Sequence, residues 1–116
     1  MELPKELYDI FYVTQFTRGT ALARVVGVDR VRVEPMQRSQ THRHLIAETI
    51  LYIESGSGTV VVDANDHAVK AGDRICIPKG AYHHVCTDAS ELVFTSIQHP
   101  PIHDDETGWH DLELRP

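Results

Sequence analysis

Long apolar runs are missing from this 116-residue chain, although 41% of its residues are hydrophobic. No stretch approaches the roughly 20 residues that a membrane-spanning helix requires, so membrane-spanning helices are excluded. A helical period is missing too; no segment repeats its apolar residues at the three-to-four spacing of a helix face. Basic residues are in deficit, eleven Lys and Arg against seventeen Asp and Glu, and the net charge is −6. A nucleic-acid surface must neutralise several phosphates from one basic face, so nucleic acid is not an expected partner. Cysteine occurs only at Cys76 and Cys86, without CxxC spacing. The opening Met-Glu-Leu-Pro-Lys-Glu lacks the basic start and apolar stretch of a secretory signal, which makes the cytoplasm the expected location. There, both cysteines read as buried free thiols rather than a disulfide.

What is present is histidine, eight in all, and many short β-type runs. The length suits one hydrophobic core and not two, so residues 1–116 are expected to form one domain: a barrel core over about 20–98, an N-terminal strand region in 1–19 and a tail over 99–116. Strands are expected at 8–13, 21–28, 30–33, 67–70, 74–77, 83–86 and 92–98. Runs 49–54 and 59–63 read as a hairpin turning at Ser55-Gly56-Ser57-Gly58. Strands recur about every ten residues between Gly and Pro turns, a pattern that predicts an all-β antiparallel jelly-roll β-barrel. Prolines 100 and 101 direct the tail away from the last strand, and Trp109 is expected to pin that tail to the barrel.

Two segments concentrate the chemistry. In a strand, His42 and His44 point to the same face about 6.6 Å apart, so both rings can reach one ion. Glu48 follows after a bend and completes two imidazoles and a carboxylate, a set suited to divalent transition metals. The second segment runs from Gly72 to His83, with Pro78 and Gly80 turning the chain to deliver His83. The neighbouring His84 faces the other way, and His67, His99, His103 and His110 read as surface or tail residues. The acidic run 104–106 reads as solvated.

These residues resemble the two motifs of the cupin superfamily. The first is met by His42-x-His44-x-x-x-Glu48 with Gly56 and Gly58, the second by Gly72, Pro78, Gly80 and His83; the similarity spans residues 30 to 98. The resemblance implies one divalent metal (Fe, Mn, Ni, Co, Cu or Zn) held by His42, His44, Glu48 and His83 inside the barrel. A strand register that aims Thr49 inward would instead leave three histidines plus water. The resemblance further implies a metal-dependent enzyme of dioxygenase or isomerase type acting on a small oxygen-bearing molecule. Glu48 is the one protein group near the ligands able to act as a base, with Tyr52, Arg32 and Thr95 as inward orienters. The alternative is a non-catalytic module that binds or senses a small ligand. A homodimer is expected, since small proteins with free terminal strands commonly pair symmetrically.

Overall fold

The computed structural model describes residues 2–116, and its architecture follows from where inward and outward side chains alternate. Twelve strands form: β1 (Lys5–Tyr8), β2 (Phe11–Gln15), β3 (Gly27–Val33), β4 (His42–Arg43), β5 (Glu48–Val62), β6 (Asn65–Lys70), β7 (Arg74–Ile77), β8 (His83–Cys86), β9 (Leu92–His99), β10 (His103–Asp104), β11 (Trp109–His110) and β12 (Glu113–Leu114). One sheet path runs β1-β2-β3-β9-β5-β8-β4-β12, with β6 and β7 also on β5, and every pairing is antiparallel. The sheet curls on itself, giving the antiparallel jelly-roll barrel that the strand spacing predicts.

β5 makes the curl possible. The Ser55–Gly58 segment is not the expected hairpin turn but the middle of one 15-residue strand. The first half of β5 pairs with β7 and β9, the second with β6 and β8. A bulge between Ile53 and Ser55 inserts one residue. The extra residue switches parity: Thr49, Leu51 and Ile53 are buried before it, Val60 and Val62 after it, and a bulge bends the strand as it does so. Gly56 sits at φ 80°, and a Cβ there would fall 1.7 Å from the Glu91 carbonyl oxygen. Only glycine fits this corner.

The core is aliphatic, built on Val33, Ile53, Val60, Ile77 and Leu92, all 2% exposed or less. Other expectations change as well. Residues 21–24 form a 3-10 turn rather than a strand, because none of them has a buried face to pack. Cys76 is exposed and Cys86 half-buried. Trp109 is 47% exposed and does not anchor the tail. Tyr52, Arg32 and Thr95 have the opposite parity from Leu51, Val31 and Phe94 and face outward, where Arg32 meets Glu34 and Glu91.

The tail is held elsewhere. Asp111 is 4% exposed, and its carboxylate accepts hydrogen bonds from the backbone N–H groups of Leu45, Ile46 and Ala47 at 2.7, 3.0 and 2.9 Å. β12 then pairs with β4, where the Arg43 guanidinium donates to Glu113 at 2.7 Å. The tail becomes an extra strand and a clamp on the loop after His44.

Candidate metal centre and cavity

His42 and His83 are directly opposite one another across β4 and β8, so the antiparallel ladder brings together residues 41 positions apart. His44 lies two residues along β4's direction, just past its end. The ring centroids of His42 and His83 are 4.2 Å apart, and those of His44 lie 5.2 Å from each. One potential ligand atom from each ring lies within 4.8 Å of the others.

Each ring is aimed by a backbone carbonyl. Nδ1 donates to Gln40 in His42 (3.3 Å), to Asp111 in His44 (2.6 Å) and to Ala81 in His83 (3.0 Å). A carbonyl oxygen only accepts, so each Nδ1 carries the hydrogen and each Nε2 is left with a free lone pair. Burial lowers His42 to a pKa of about 4, helped by the nearby His44, and lowers His83 to about 3, helped by His42. Both rings are therefore neutral at pH 7, the state in which an imidazole ligates a metal.

Glu48 does not join them. It is exposed, and Thr49 occupies the inward position, 3% exposed with its hydroxyl buried and unpartnered among the described residues. The register of β5 decides this, pairing Thr49 with Ile77 and Gln98 on the inner face. Of the four residues expected to converge, the three imidazoles do and Glu48 does not; three imidazoles on one ion would leave positions open for water or substrate. His84 is turned away and meets the Thr41 hydroxyl at 3.4 Å.

The three rings open onto a cavity of about 380 Å³, within the range of small-molecule sites. Its walls include residues that the sequence reading left outside the site. His103 and His110 come from the tail hairpin, with their Nδ1 atoms 2.8 Å apart, and lie tilted beside Tyr8 from β1, ring centroids 5.9 and 6.5 Å away. His103 is pushed below its ordinary pKa, by burial first and then by His110. Asp29, Ser96 and Gln98 line another wall. Gln98 donates through Nε2 to Asp29 Oδ2 (2.9 Å) and to Ser96 Oγ (2.7 Å). Burial raises Asp29 to about 6 against the hydrogen bond from Gln98, which lowers it. The signal for Asp29 was available in strand parity: it shares its face with Val31 and Val33, an inward position hidden by ending one strand at 28 and starting the next at 30, where the structure has one strand, Gly27–Val33.

The sequence profile of the Cupin domain family matches residues 29–98, which is more than half of the chain. The chain is a cupin. Among solved structures, this cupin is similar to Streptomyces Pac13, described as a nucleoside dehydratase and solved with uridine: TM-score 0.79, 17% identity, 99% of this chain and 86% of that one. It is also similar to oxalate decarboxylase from Lactobacillus farciminis (TM-score 0.78, 19% identity, 97% of this chain and 33% of that one). Salicylate 1,2-dioxygenase from Pseudoaminobacter salicylatoxidans gives a TM-score of 0.77 at 13% identity, over 97% of this cupin and 31% of that chain. A sequence search of curated proteins returned no match.

Proposed function

We propose that this cupin binds one divalent transition metal through Nε2 of His42, His44 and His83 and acts, in the adjoining cavity, on a small oxygen-bearing organic substrate. The observation that carries the reading is the shared anchoring of the three rings. Three Nδ1–H groups spent on backbone carbonyls leave three convergent lone pairs, a donor set that suits borderline divalent ions.

When bound, such an ion acts as a Lewis acid that polarises a substrate oxygen or lowers the pKa of bound water. The chain supplies the rest. The apolar side chains of Val31, Leu51 and Phe94 in the cavity wall exclude bulk water, and the tail hairpin covers one end. Relatives named for action on a nucleoside, on oxalate and on salicylate support a small, oxygen-rich substrate, and dioxygenation and isomerisation are the two reaction types in view. Glu48, exposed and apart, has no part in holding the ion.

Elemental analysis after reconstitution and desalting tests the reading. The wild type should retain one ion per chain, His44→Ala and His83→Ala less than a tenth of that, and Glu48→Gln all of it. Equal retention by the histidine variants would overturn the assignment.

A further inference from the structure

In the same cavity as the histidines, the inner face of β2, β3, β9 and β5 changes character from layer to layer. Val13, Val31, Phe94 and Ile53 form an apolar layer across β2, β3, β9 and β5; one step along, the same strands place Gln15, Asp29 and Ser96 beside Leu51, and a step further Gln98 beside Thr49, all buried. Polar groups in such positions weaken a core unless they are fully paired, and Gln98 Oε1 and Thr49 Oγ1 have no partner among the described residues. Asp29 makes no ion pair among the described residues: its contact is with an uncharged amide. A buried carboxyl without a cation, facing a cavity, is unusual for structure and usual for function.

We infer that Asp29 is the catalytic residue that carries a proton in this cavity, that Gln98 is its positioning residue, and that the substrate is a small α-hydroxycarbonyl compound undergoing isomerisation. The inference rests on the cavity being the substrate site, as proposed above, and selects between the two reaction types. Moving a carbonyl along a carbon chain requires one proton carrier that both takes and returns a proton, and a carboxyl on the cavity wall with no cation beside it is a group able to do both.

The step balances without any further reactant. The Asp29 carboxylate removes the proton from the carbon bearing the hydroxyl, and the C–H electron pair becomes the double bond of an enediol. The same carboxyl returns the proton to the neighbouring carbon, while the hydroxyl proton passes to the former carbonyl oxygen. Asp29 is suited to both halves because a pKa of about 6 keeps each protonation state accessible near neutrality.

Its aim is fixed by Gln98. Gln98 is 1% exposed and ties Oδ2 with one N–H and Ser96 with the other. On β3 the cross-strand neighbour of Gln98 is Gly27, where a Cβ would lie 2.0 Å from Gln98 Oε1; glycine makes the room that the amide needs. Other charged or titratable groups on this side are Arg18, His103 and Asp105, which line a small adjoining pocket, and of these Asp105 raises Asp29 slightly.

The test is hydrogen–deuterium exchange at the α-carbon, followed by NMR in deuterated water, with dihydroxyacetone, D-xylulose and D-fructose as probes of the metal-loaded protein. Wild type should exchange at least one of them with an inflection near pH 6, and Asp29→Asn should lose at least a hundredfold in rate with its metal content unchanged. Gln98→Met removes the hydrogen bond that lowers Asp29, so its inflection should move above that of the wild type. A second readout needs no activity: the Asp29 carboxyl in the metal-free protein should titrate near pH 6 by carbon-detected NMR. Exchange of none of the probes by metal-loaded protein, exchange undiminished in Asp29→Asn, or an Asp29 midpoint of 4 or below would each overturn the inference. Failure to hold metal would instead sink the function proposed above.

Discussion

Asp29 and the two most strongly shifted histidines respond to pH in opposite senses. Asp29 rises from 3.8 to about 6 on folding; its contribution to stability is complete below pH 3.8 and is lost as pH rises through 6. Roughly two units at about 1.4 kcal/mol each put the effect on the order of 3 kcal/mol. Asp29→Asn should therefore be about 2–3 kcal/mol more stable than wild type at pH 8 and similar to it at pH 4, as read by denaturant titration. His42 and His83 fall from 6.5 to about 4 and about 3; their contribution is complete above pH 6.5 and is lost as pH falls through those values. Two histidines outweigh one carboxyl, so the melting temperature of metal-free protein should drop between pH 6.5 and pH 4. At this scale the convergence of His42, His44 and His83 was legible from motif spacing taken together with the cupin resemblance. Glu48 was misleading because a one-residue difference in register reverses which side chain faces in, and the motif spacing does not set that register; pairing of Thr49 with Ile77 and Gln98 does.

Elements were legible where turn chemistry and tertiary pairing agree. The strand at 74–77 and the Pro78–Gly80 turn that delivers His83 to β8 stand as read. The Ser55–Gly58 segment has the composition of a hairpin turn, yet β9 runs alongside it, and Ser55 and Gly56 pair with Val93 and Leu92, so the strand continues. Gly56→Ala should cost more than about 3 kcal/mol or abolish folding, since left-handed backbone and a clash with a carbonyl act together; urea unfolding reads this directly. The clamp on the loop after His44 is equally local. Asp111→Ala leaves three backbone N–H groups of residues 45–47 without their acceptor, a loss of at least about 2 kcal/mol. Its metal affinity should fall roughly ten- to a hundredfold, as measured by competition with a chelator, because His44 is then no longer held by the chain around it.

At the scale of the whole molecule, the tail is where reading by composition falls short. Residues 99–116 carry three prolines, an acidic run and a glycine, yet they contribute His103 and His110 to the cavity, Asp111 to the clamp and a strand beside β4. The clamp joins residues 64–66 positions apart and the β12–β4 pairing residues 70–72 apart, beyond the reach of any local pattern. The expected homodimer is kept as a proposal: sedimentation equilibrium at micromolar concentration should give twice the chain mass, and the chain mass alone would refute it. The central claim is a metal held by three imidazoles and no protein carboxylate. X-ray absorption spectroscopy of the cobalt-loaded protein, recorded for the wild type and for Glu48→Gln, tests it most directly. The expected result is three imidazole ligands in both, with superimposable spectra; fewer than three imidazoles, or a coordination shell altered by Glu48→Gln, would contradict it.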